Sequence, residues 1–416
     1  MARTLDVYLH RHLVGKLIQN DQGQMVFHYV QSWLTNPTAI ALSQSLPLTQ
    51  KRFSRNRCRG FFAGILPDES KREIIARNLG ISARNDFAML EQIGGECAGA
   101  VTFLPEGKGL AELENTYRPV SRPELAEILR SLPRRPLLAG EEGIRLSLAG
   151  AQDKIVVHVS GGQISLPLAG APSTHILKPA IERFAGVVLN EALCMQLAQA
   201  IGLPTVNVEV GQVEGIDYLL VERYDRALST DTGNLRREHQ EDFCQALGIV
   251  PEHKYQNEGG PSLRQCFELI RATSSTPVID LQVLLDAVIF NWLIGNHDAH
   301  GKNYSLLYHG EISAGLQTRL APLYDLISTV YYPELSPKMA MKIGGENFGD
   351  RISPTHFEQL AEEAGLAKSM TKRRVLELAQ AILSTLPSLP RNHPVRVAVA
   401  KLIQSRCELA ARKFAT

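Results

Sequence analysis

Polar and apolar residues alternate over residues 4–30, and turn signals stand at Gly15 and at Asp21–Gly23. Alternation with a period of two is typical of strands that bury one face, so this segment predicts an antiparallel hairpin. Helical patterns follow over Lys71–Leu79 and near Asp86–Ile93. The start of the chain therefore predicts a small mixed subdomain that opens with β-structure.

A polar passage with prolines over residues 105–136 predicts a linker with one short helix and a domain boundary near residue 140. Beyond it, short apolar runs and glycine turns, such as Gly161–Gly162, predict a small sheet lobe. Leucines recur every four positions over residues 187–201, which indicates a helix that Gly202 ends. The predicted strands of this lobe are 155–159, 163–166, 175–178, 205–210 and 218–222.

The rest of the chain has a mainly helical pattern. Leu281–Ile294 is almost entirely apolar, which predicts a buried helix, and Asp280 is a candidate for its N-cap. The other elements predicted here are strands near 304–309 and 316–323, a turn at Gly310–Gly315 between them, and helices over 371–383 and 394–413. The pattern thus predicts an α+β fold with domains at 1–140, 141–226 and 227–416.

Of 416 residues, 44% are hydrophobic and 21% are charged, as in an ordinary soluble globular protein. The formal net charge is +1, so the whole-chain charge gives no case for strong attraction to nucleic acid or to a membrane. The six cysteines form no CxxC pair, which gives no support to zinc-ribbon or thioredoxin-type chemistry. Because the N-terminus lacks the apolar core of a signal peptide, we expect a cytoplasmic protein.

Asp298, Asn303 and Asp325 form the most informative polar pattern in the chain. A phosphoryl-transfer site of the protein-kinase type needs a carboxylate that orients the attacking hydroxyl, and an Asn and an Asp that hold Mg²⁺. The step from Asp298 to Asn303 is the one found in the catalytic loop of protein kinases. Asp and Asn also favour ordinary turns, so the spacing alone is weak evidence.

The two strands predicted after Asn303 strengthen this interpretation. A hairpin made of them would bring Asn303, just before the first strand, beside Asp325, just after the second. Two oxygen ligands together with substrate phosphates are a usual way of holding Mg²⁺. We expect His300 to line the nucleotide site, and we interpret His297 as structural.

A kinase also needs a lysine on a strand and a loop that covers the phosphates. Lys178 ends a predicted strand and suits a contact with ATP phosphates, and Glu191 on the next helix is a candidate ion partner. The segment Ser147–Lys154 precedes a strand, and its small residues would let the backbone approach phosphates. The candidate phosphate contacts in this loop are Ala151, Gln152 and Lys154.

Together these segments resemble the HipA family of bacterial toxin kinases. The resemblance covers nearly the whole chain and includes Phe61–Pro67 and Gly95–Gly99 near the N-terminus. The matching motifs farther on are Ser147–Lys154, Thr174–Lys178, Val221–Arg226, His239–Gly248, Lys254–Pro261, Asn291–Asn303 and Pro322–Asp325. A member of this family is expected to have a two-lobed, protein-kinase-like fold with an extra N-terminal β-rich subdomain and a mainly helical C-terminal lobe.

The resemblance implies roles for single residues. Asp298 would be the catalytic aspartate, Asn303 and Asp325 would be Mg²⁺ ligands, and Lys178 would hold ATP phosphates. Ser147 matches a serine that is autophosphorylated in the family, a step that inactivates the kinase. Further contacts with the nucleotide are implied for Glu222, Tyr224, Asp225, Gln240 and His300.

The resemblance also implies partners. Characterised members of the family phosphorylate aminoacyl-tRNA synthetases, glutamyl-tRNA synthetase among them, and so arrest growth. They pair with HipB, a small helix-turn-helix antitoxin that binds operator DNA. The implied function is that of a serine/threonine protein kinase toxin that depends on Mg²⁺ and ATP, contacts DNA mainly through its antitoxin and has no membrane partner.

Three other functions fit parts of the pattern. The pair His297–Asp298 could belong to a metal-dependent phosphohydrolase, but the preceding helix offers no histidine for such a site. A non-catalytic regulator would keep the fold and bind only an antitoxin and DNA, which the complete set of site residues disfavours. A small-molecule or lipid kinase would share the same lobe design.

Overall fold

The computed structural model is an α+β protein and describes residues 2–110, 116–228, 235–310, 312 and 315–415. Its α-helices are α1 (Gln31–Leu34), α2 (Arg55–Gly64), α3 (Glu69–Leu79), α4 (Asp86–Ile93), α5 (Arg122–Ser131), α6 (Val187–Ala200), α7 (Phe243–Ala246), α8 (Leu263–Thr273), α9 (Pro277–Ile294), α10 (Pro354–Glu363), α11 (Lys368–Thr385) and α12 (Pro394–Phe414).

The strands up to residue 222 are β1 (Arg3–Leu9), β2 (His12–Gln19), β3 (Met25–Tyr29), β4 (Arg52–Phe53), β5 (Val101–Pro105), β6 (Thr116–Pro119), β7 (Ile155–Ser160), β8 (Gln163–Leu168), β9 (His175–Pro179), β10 (Val208–Val213) and β11 (Ile216–Glu222). The later strands are β12 (Arg226–Leu228), β13 (Leu235–Arg237), β14 (His239–Asp242), β15 (Ser305–His309), β16 (Gln317–Leu320), β17 (Lys338–Ile343) and β18 (Glu346–Phe348).

The chain divides into two compact units. Unit 1 consists of Met1–Pro179, Gly211–Glu252 and Leu306–Gln317. Unit 2 consists of Ala180–Val210, His253–Ser305 and Thr318–Thr416.

Unit 1 opens with a five-stranded sheet in the order β4-β3-β2-β1-β5. The antiparallel pairing of β1, β2 and β3 confirms the predicted hairpin, and Asp21–Gly23 is its second turn. Gly15, which the sequence pattern marks as a turn, instead lies inside β2 opposite Tyr29. A Cβ there would lie 2.4 Å from the Phe27 ring, so Gly15 makes room for a core aromatic residue.

The second large sheet has the order β10-β11-β9-β7-β8-β6. β7 and β8 form the predicted hairpin around Gly161–Gly162, whose φ angles of 55° and 78° suit glycine. β9 lies between β11 and β7 and buries Leu177 completely. This central strand is therefore a rigid support for Lys178, which follows Leu177.

The predicted linker over residues 105–136 contains the expected helix, α5, which Ser121 caps by accepting a hydrogen bond from the Glu124 N–H. It also contains β6, a strand that the sequence pattern does not predict. β6 is the edge strand beside β8, and its residues are exposed or half-buried. Its backbone pairing needs no alternation of apolar residues, and residues 111–115 of the linker lie outside the described part of the chain.

The apolar helix of unit 2, α9, begins at Pro277, four residues before the predicted start. Asp280 is therefore not its N-cap but lies in the first turn, 2% exposed. Its carboxylate accepts hydrogen bonds from the Ser274 hydroxyl at 2.6 Å and from the Arg319 guanidinium at 3.0 Å. The proline at the first helical position is the signal that the prediction overlooked.

Among the helices of the described residues, α9 alone has the length and apolar composition of a membrane span, and 72% of it is buried inside the protein. A core helix of a globular protein passes the same test. The predicted helices over 371–383 and 394–413 are confirmed as parts of α11 and α12. The predicted turn Gly310–Gly315 lies partly outside the described residues.

Glu241 on β14 is a fully buried carboxyl group in unit 1. It accepts hydrogen bonds from the hydroxyls of Ser43 and Tyr308, both at 2.5 Å, and from the backbone N–H of Gln44 at 3.0 Å. Burial outweighs these donors and raises the pKa of Glu241 to about 7. The folded protein therefore keeps a proton that the unfolded chain releases at lower pH.

We expect Glu241→Gln to remove a pH-dependent loss of stability. Between the ordinary pKa of 4.5 and about 7, the folded state binds more protons, so the free energy of unfolding falls as the pH rises. The loss amounts to roughly 3 kcal/mol and levels off above the folded-state pKa. Urea unfolding of both proteins at about pH 5 and about pH 8 measures it. If the free energy of unfolding differed between the wild type and Glu241→Gln by the same amount at both pH values, the expectation would be contradicted.

Candidate active site

In unit 2, the loop after α9 is anchored where the helix ends. Gly295 ends α9 with a φ of 73°, and a Cβ there would lie 2.4 Å from Val330. The Thr329 hydroxyl donates to the Gly295 carbonyl at 3.0 Å and accepts from the His297 N–H at 2.7 Å. These contacts tie the beginning of the loop to the segment that follows Asp325.

Asn296 connects two of the predicted catalytic residues. Its side chain is 1% exposed. Its Oδ1 accepts from the Asp298 N–H at 3.1 Å, and its Nδ2 donates to the Asp325 carbonyl at 3.4 Å and to the Asn291 Oδ1 at 2.8 Å. One buried amide therefore brings the backbones of Asp298 and Asp325 together.

Asn303 and Asp325 flank the base of a hairpin, as the sequence pattern predicts. The Ala321 N–H donates to the Ser305 carbonyl at 2.8 Å, which joins the chain just after Asn303 to the chain just before Asp325. The Tyr324 hydroxyl shares a hydrogen bond of 2.7 Å with the Ser305 hydroxyl. Local pairing thus brings together the chain segments that carry the two residues.

Asp325 has a φ of 58°, in the left-handed region that favours glycine. For another residue this conformation costs about 1 kcal/mol or more, and such strain is concentrated at functional sites. Asn303 ends a 3₁₀ turn, Gly301–Asn303, whose last N–H donates to the His300 carbonyl at 2.9 Å. The fold therefore holds both candidate ligands in defined backbone conformations.

The donor chemistry fits Mg²⁺. Asn303 offers an amide oxygen and Asp325 a carboxylate, and Mg²⁺ prefers hard oxygen ligands shared with substrate phosphates. Among the described residues, no group of three or more His, Cys, Asp or Glu side chains could hold a metal ion. Asn303 and Asp325 therefore suit a Mg²⁺ ion whose coordination is completed by phosphate oxygens. They suit a metal site made of protein groups alone less well.

Asp298, the candidate base, is exposed, as a group that must reach a substrate should be. Its Oδ1 accepts a hydrogen bond of 2.8 Å from the Tyr255 hydroxyl, and its backbone carbonyl accepts from the His300 N–H at 2.8 Å. His300 is 7% exposed, and its ring meets the Tyr255 ring edge-on at 5.4 Å. Asp298 and His300 thus both contact Tyr255.

His297 is part of the interior. It is 9% exposed, and burial, followed by the charge of Arg406, lowers the pKa of His297 to about 4. A Cβ at Gly349 would lie 2.9 Å from its Nε2, so the ring packs closely against the backbone there. This environment agrees with a structural role and gives no support to a phosphohydrolase site built on His297 and Asp298.

In unit 1, Lys178 lies on β9 and is 7% exposed. The antiparallel register places it opposite Leu219 of β11, while Glu222 at the end of β11 lies opposite His175. The sequence predicts a lysine on a strand here, and the structure shows that this strand lies inside the sheet. Glu191, its candidate partner, is 4% exposed on α6 of unit 2.

Two of the residues implied for nucleotide binding contact each other in unit 1. The Tyr224 hydroxyl donates to the Gln240 Oε1 at 2.9 Å. Asp225 is instead buried, where its carboxylate contacts Arg223 at 2.7 Å and Arg226 at 3.0 Å. Burial alone would raise the pKa of Asp225, but these two guanidinium groups lower it.

Asp225 belongs to a buried ionic group that we name the Glu96 cluster, made of Glu96, Arg223, Asp225, Arg226 and Arg237. The Glu96 carboxylate is 0% exposed and contacts Arg226 at 2.7 Å, Arg223 at 3.3 Å, and Arg237. Asp225 also accepts from the Gly99 N–H at 2.7 Å. The glycine-rich stretch Gly95–Gly99 is therefore held by buried charges.

Ser147 is 0% exposed. Its hydroxyl donates to the Ile65 carbonyl at 3.0 Å, and its N–H donates to the Glu96 carbonyl at 2.9 Å. The first residue of the candidate phosphate loop is thus buried in unit 1. Ser147 would have to leave this position before its hydroxyl could accept a phosphoryl group.

The rest of the candidate loop contacts α3. The backbone of Gly150 exchanges two hydrogen bonds of 3.3 Å with Asp68, the residue before α3, and Lys71 in its first turn pairs with Asp153 at 2.5 Å. Lys154 donates to the Ala149 carbonyl at 2.6 Å, inside the loop itself. The other two candidate phosphate contacts are the exposed Ala151 and the half-buried Gln152.

Two family models cover most of the chain. A model of the HipA-like C-terminal domain matches residues 146–386, and a model of the HipA N-terminal domain matches residues 5–104. The chain belongs to the HipA family. The resemblance found in the sequence motifs is therefore confirmed over both of these regions.

Two relatives match nearly the whole chain. The chain is 46% identical over 381 residues to the putative kinase Y4mE of Sinorhizobium fredii. The match covers 91% of this chain and 89% of the relative. It is 29% identical to the serine/threonine-protein kinase toxin HipA of Shewanella oneidensis, over 97% of this chain and 95% of that toxin.

A solved structure agrees with these matches. The complex of the Shewanella oneidensis MR-1 toxin-antitoxin system, which contains HipA, HipB and operator DNA, has a chain that superposes with a TM-score of 0.83. The two chains are 27% identical, and the match covers 98% of this chain and 97% of the other. The HipA-like, kinase-like α+β fold that the sequence predicts is confirmed.

For this HipA family member, the sequence pattern predicts that Asp298, Asn303 and Asp325 belong to one site, and it predicts no role for Asn296 or Tyr255. Asn296 lies within the motif Asn291–Asn303, and its position directly after an apolar helix is a signal in the sequence that could have found it. Tyr255 lies far from Asp298 in the sequence, so only the fold brings their side chains into contact. The catalytic and nucleotide-binding roles of the site residues remain predictions.

Proposed function

We propose that this protein is a serine/threonine protein kinase toxin of a toxin–antitoxin system and that it uses Mg²⁺ and ATP. The observation that carries the proposal is the assembly of Asp298, Asn303 and Asp325 in unit 2 through Asn296 and the hairpin base. A carboxylate beside an Asn–Asp pair is the constellation that phosphoryl transfer of the protein-kinase type requires.

Asp298 would take the proton of a substrate serine or threonine hydroxyl. The hydroxyl oxygen forms its bond to the γ-phosphorus as the bond to the leaving ADP breaks, so one phosphoryl group is transferred. Asn303 and Asp325 would hold Mg²⁺, which supplies charge neutralisation at the phosphates when bound. Lys178 would hold phosphates by its ammonium group, with Glu222, Tyr224, Gln240 and His300 toward the rest of the nucleotide.

The proposed partners follow from family membership. The Shewanella oneidensis HipA chain was solved with HipB and operator DNA, which supports a helix-turn-helix antitoxin as the partner of this protein. The proposed substrate is an aminoacyl-tRNA synthetase, glutamyl-tRNA synthetase first among them. Such a substrate places the proposed activity in the cytoplasm, and DNA contact would run mainly through the antitoxin.

One experiment tests the activity. The purified protein is incubated with Mg²⁺ and γ-labelled ATP, alone and with a cell extract, and the products are separated into protein and small-molecule fractions. Label on this protein or on one extract protein, lost when Mg²⁺ is chelated, supports the proposal. Label confined to a small molecule would favour a metabolite kinase. If the protein bound no ATP and no fraction carried label, the proposal would be overturned.

We expect Ser147→Ala to abolish self-labelling while transfer to the extract protein continues. The serine hydroxyl is the proposed acceptor, and in the buried position it contributes one hydrogen bond to Ile65, worth about 1 kcal/mol. Phosphopeptide mapping of the wild type locates the label, and Ser131→Ala, a serine on α5, is the matched control. Self-labelling that persists in Ser147→Ala would reject Ser147 as the single acceptor.

A further inference from the structure

Tyr255 and Asp298 are joined by a hydrogen bond between side chains that lie far apart in the sequence. The Tyr255 hydroxyl donates to the Asp298 Oδ1 at 2.8 Å. The other carboxylate oxygen, Oδ2, is not used by this contact. A hydrogen bond to an ionised carboxylate is stronger than one between neutral groups, and it selects one orientation of the carboxylate plane.

The backbone around Tyr255 is held rigidly. Its carbonyl accepts from the N–H groups of Glu258 and Gly260, both at 2.9 Å, which closes the 3₁₀ turn Gln256–Glu258. A Cβ at Gly260 would lie 2.6 Å from the His253 carbonyl oxygen, so the chain can return this closely only with glycine there. The turn thus presents the Tyr255 side chain in one position.

A second contact fixes the turn to β17. The Gln256 Oε1 accepts from the Lys342 N–H at 2.7 Å. The Tyr255 ring is itself bounded by His300, edge-on at 5.4 Å, and by the Lys254 ammonium, 5.4 Å from its centroid. A Tyr255→Phe change keeps both of these ring contacts. The hydroxyl can therefore be removed with little disturbance of its surroundings.

We infer that Tyr255 is a positioning residue for the proposed base Asp298. Its hydrogen bond to Oδ1 holds the carboxylate in one orientation for the substrate hydroxyl, and it favours the ionised carboxylate that can accept a proton. This inference rests on the proposed kinase function. A base is effective only when its oxygen lies within hydrogen-bond reach of the proton it removes, so an unrestrained carboxylate would spend less time in the reactive orientation.

The test is a comparison of steady-state kinetics in the full-length protein. We expect Tyr255→Phe to lower kcat for the labelled extract protein roughly tenfold, with KM for ATP unchanged, because the change removes the hydroxyl that donates to the base and keeps the ring. The acid limb of the kcat–pH profile should move up by about half a pH unit, since a carboxylate that loses a donor is protonated more easily. Tyr8→Phe, which removes a hydroxyl from the N-terminal sheet, is the matched control and should change neither.

The outcomes separate this inference from the proposed function. If the wild type transfers no label, the proposed function fails, whatever the variant does. If the wild type is active and Tyr255→Phe matches it in kcat and in pH profile, the positioning role is wrong. A faster Tyr255→Phe enzyme would also overturn it, because the phenol would then be blocking the base. A fall in kcat with a lowered melting temperature and an unmoved acid limb would assign Tyr255 to folding alone.

Discussion

Replacing Asp298 with asparagine should reduce phosphoryl transfer about 10³-fold, because the variant keeps the shape of the side chain and loses the proton acceptor. The asparagine Oδ1 can still accept from the Tyr255 hydroxyl, so the loop conformation is expected to persist. Binding of ATP should persist as well, since Lys178, Asn303 and Asp325 are unaltered. The measurement is the initial rate of label transfer, paired with ATP affinity from calorimetry.

Asp21→Asn gives a control with the same chemical change in an exposed turn of the N-terminal sheet. It should transfer label at the wild-type rate. If Asp298→Asn retained more than about a tenth of the wild-type rate, the carboxylate would not be the proton acceptor, and positioning by other residues would have to account for catalysis. Loss of ATP binding in Asp298→Asn would instead indicate that the change had disturbed the site as a whole.

The parts of the site that could be predicted are those held together by local chain geometry. Asn303 and Asp325 flank two strands that the alternating pattern predicts, and backbone pairing at Ser305 and Ala321 closes the hairpin between them. The lysine of β9 was predictable for a similar reason, because apolar neighbours such as Leu177 mark a buried strand. In both cases the residues that make the prediction possible lie within a few positions of the functional group in the chain.

The parts that could not be predicted depend on contacts between distant segments. Periodicity reports which face of an element is buried, and it does not report which polar group will meet another across the fold. Tyr255 finds Asp298 only after the turn at Gly260 has been fixed, and β6 is stabilised at a sheet edge by backbone pairing that leaves no apolar pattern. The resemblance implies a nucleotide contact for Asp225, which stays a prediction, while the pattern of residues gives no sign of its ion pairs with Arg223 and Arg226.

The Glu96 cluster is expected to give the largest effect on stability. Glu96→Gln keeps the volume of the side chain but leaves Arg223, Arg226 and the partly buried Arg237 with Asp225 as the remaining carboxylate of the cluster. Breaking a buried ion pair by removing one partner costs about 3–5 kcal/mol, because the remaining charges lose their compensation. Urea unfolding at neutral pH measures this loss as a lower transition midpoint with an unchanged slope.

The pH dependence of the loss follows from the same charges. Burial alone would raise the pKa of Glu96, but Arg226, Arg237 and Arg223 lower it below the ordinary 4.5. The unfolded chain then binds more protons than the folded one as the pH falls below that value, so the contribution of Glu96 is present at neutral pH and is lost in acid. The difference between wild type and Glu96→Gln should therefore shrink as the pH falls.

An exposed pair provides the comparison that decides whether burial is the cause. Glu214 contacts Arg130 at 2.8 Å, and both side chains are about half exposed. Solvent screens this pair, so Glu214→Gln should cost well under about 1 kcal/mol. Equal losses for the two Glu→Gln variants would mean that the Glu96 cluster contributes no more than a surface ion pair. A large loss for Glu96→Gln alone would show that the buried ion pairs of Glu96 stabilise the stretch Gly95–Gly99. That stretch includes the Glu96 carbonyl, which accepts from the Ser147 N–H.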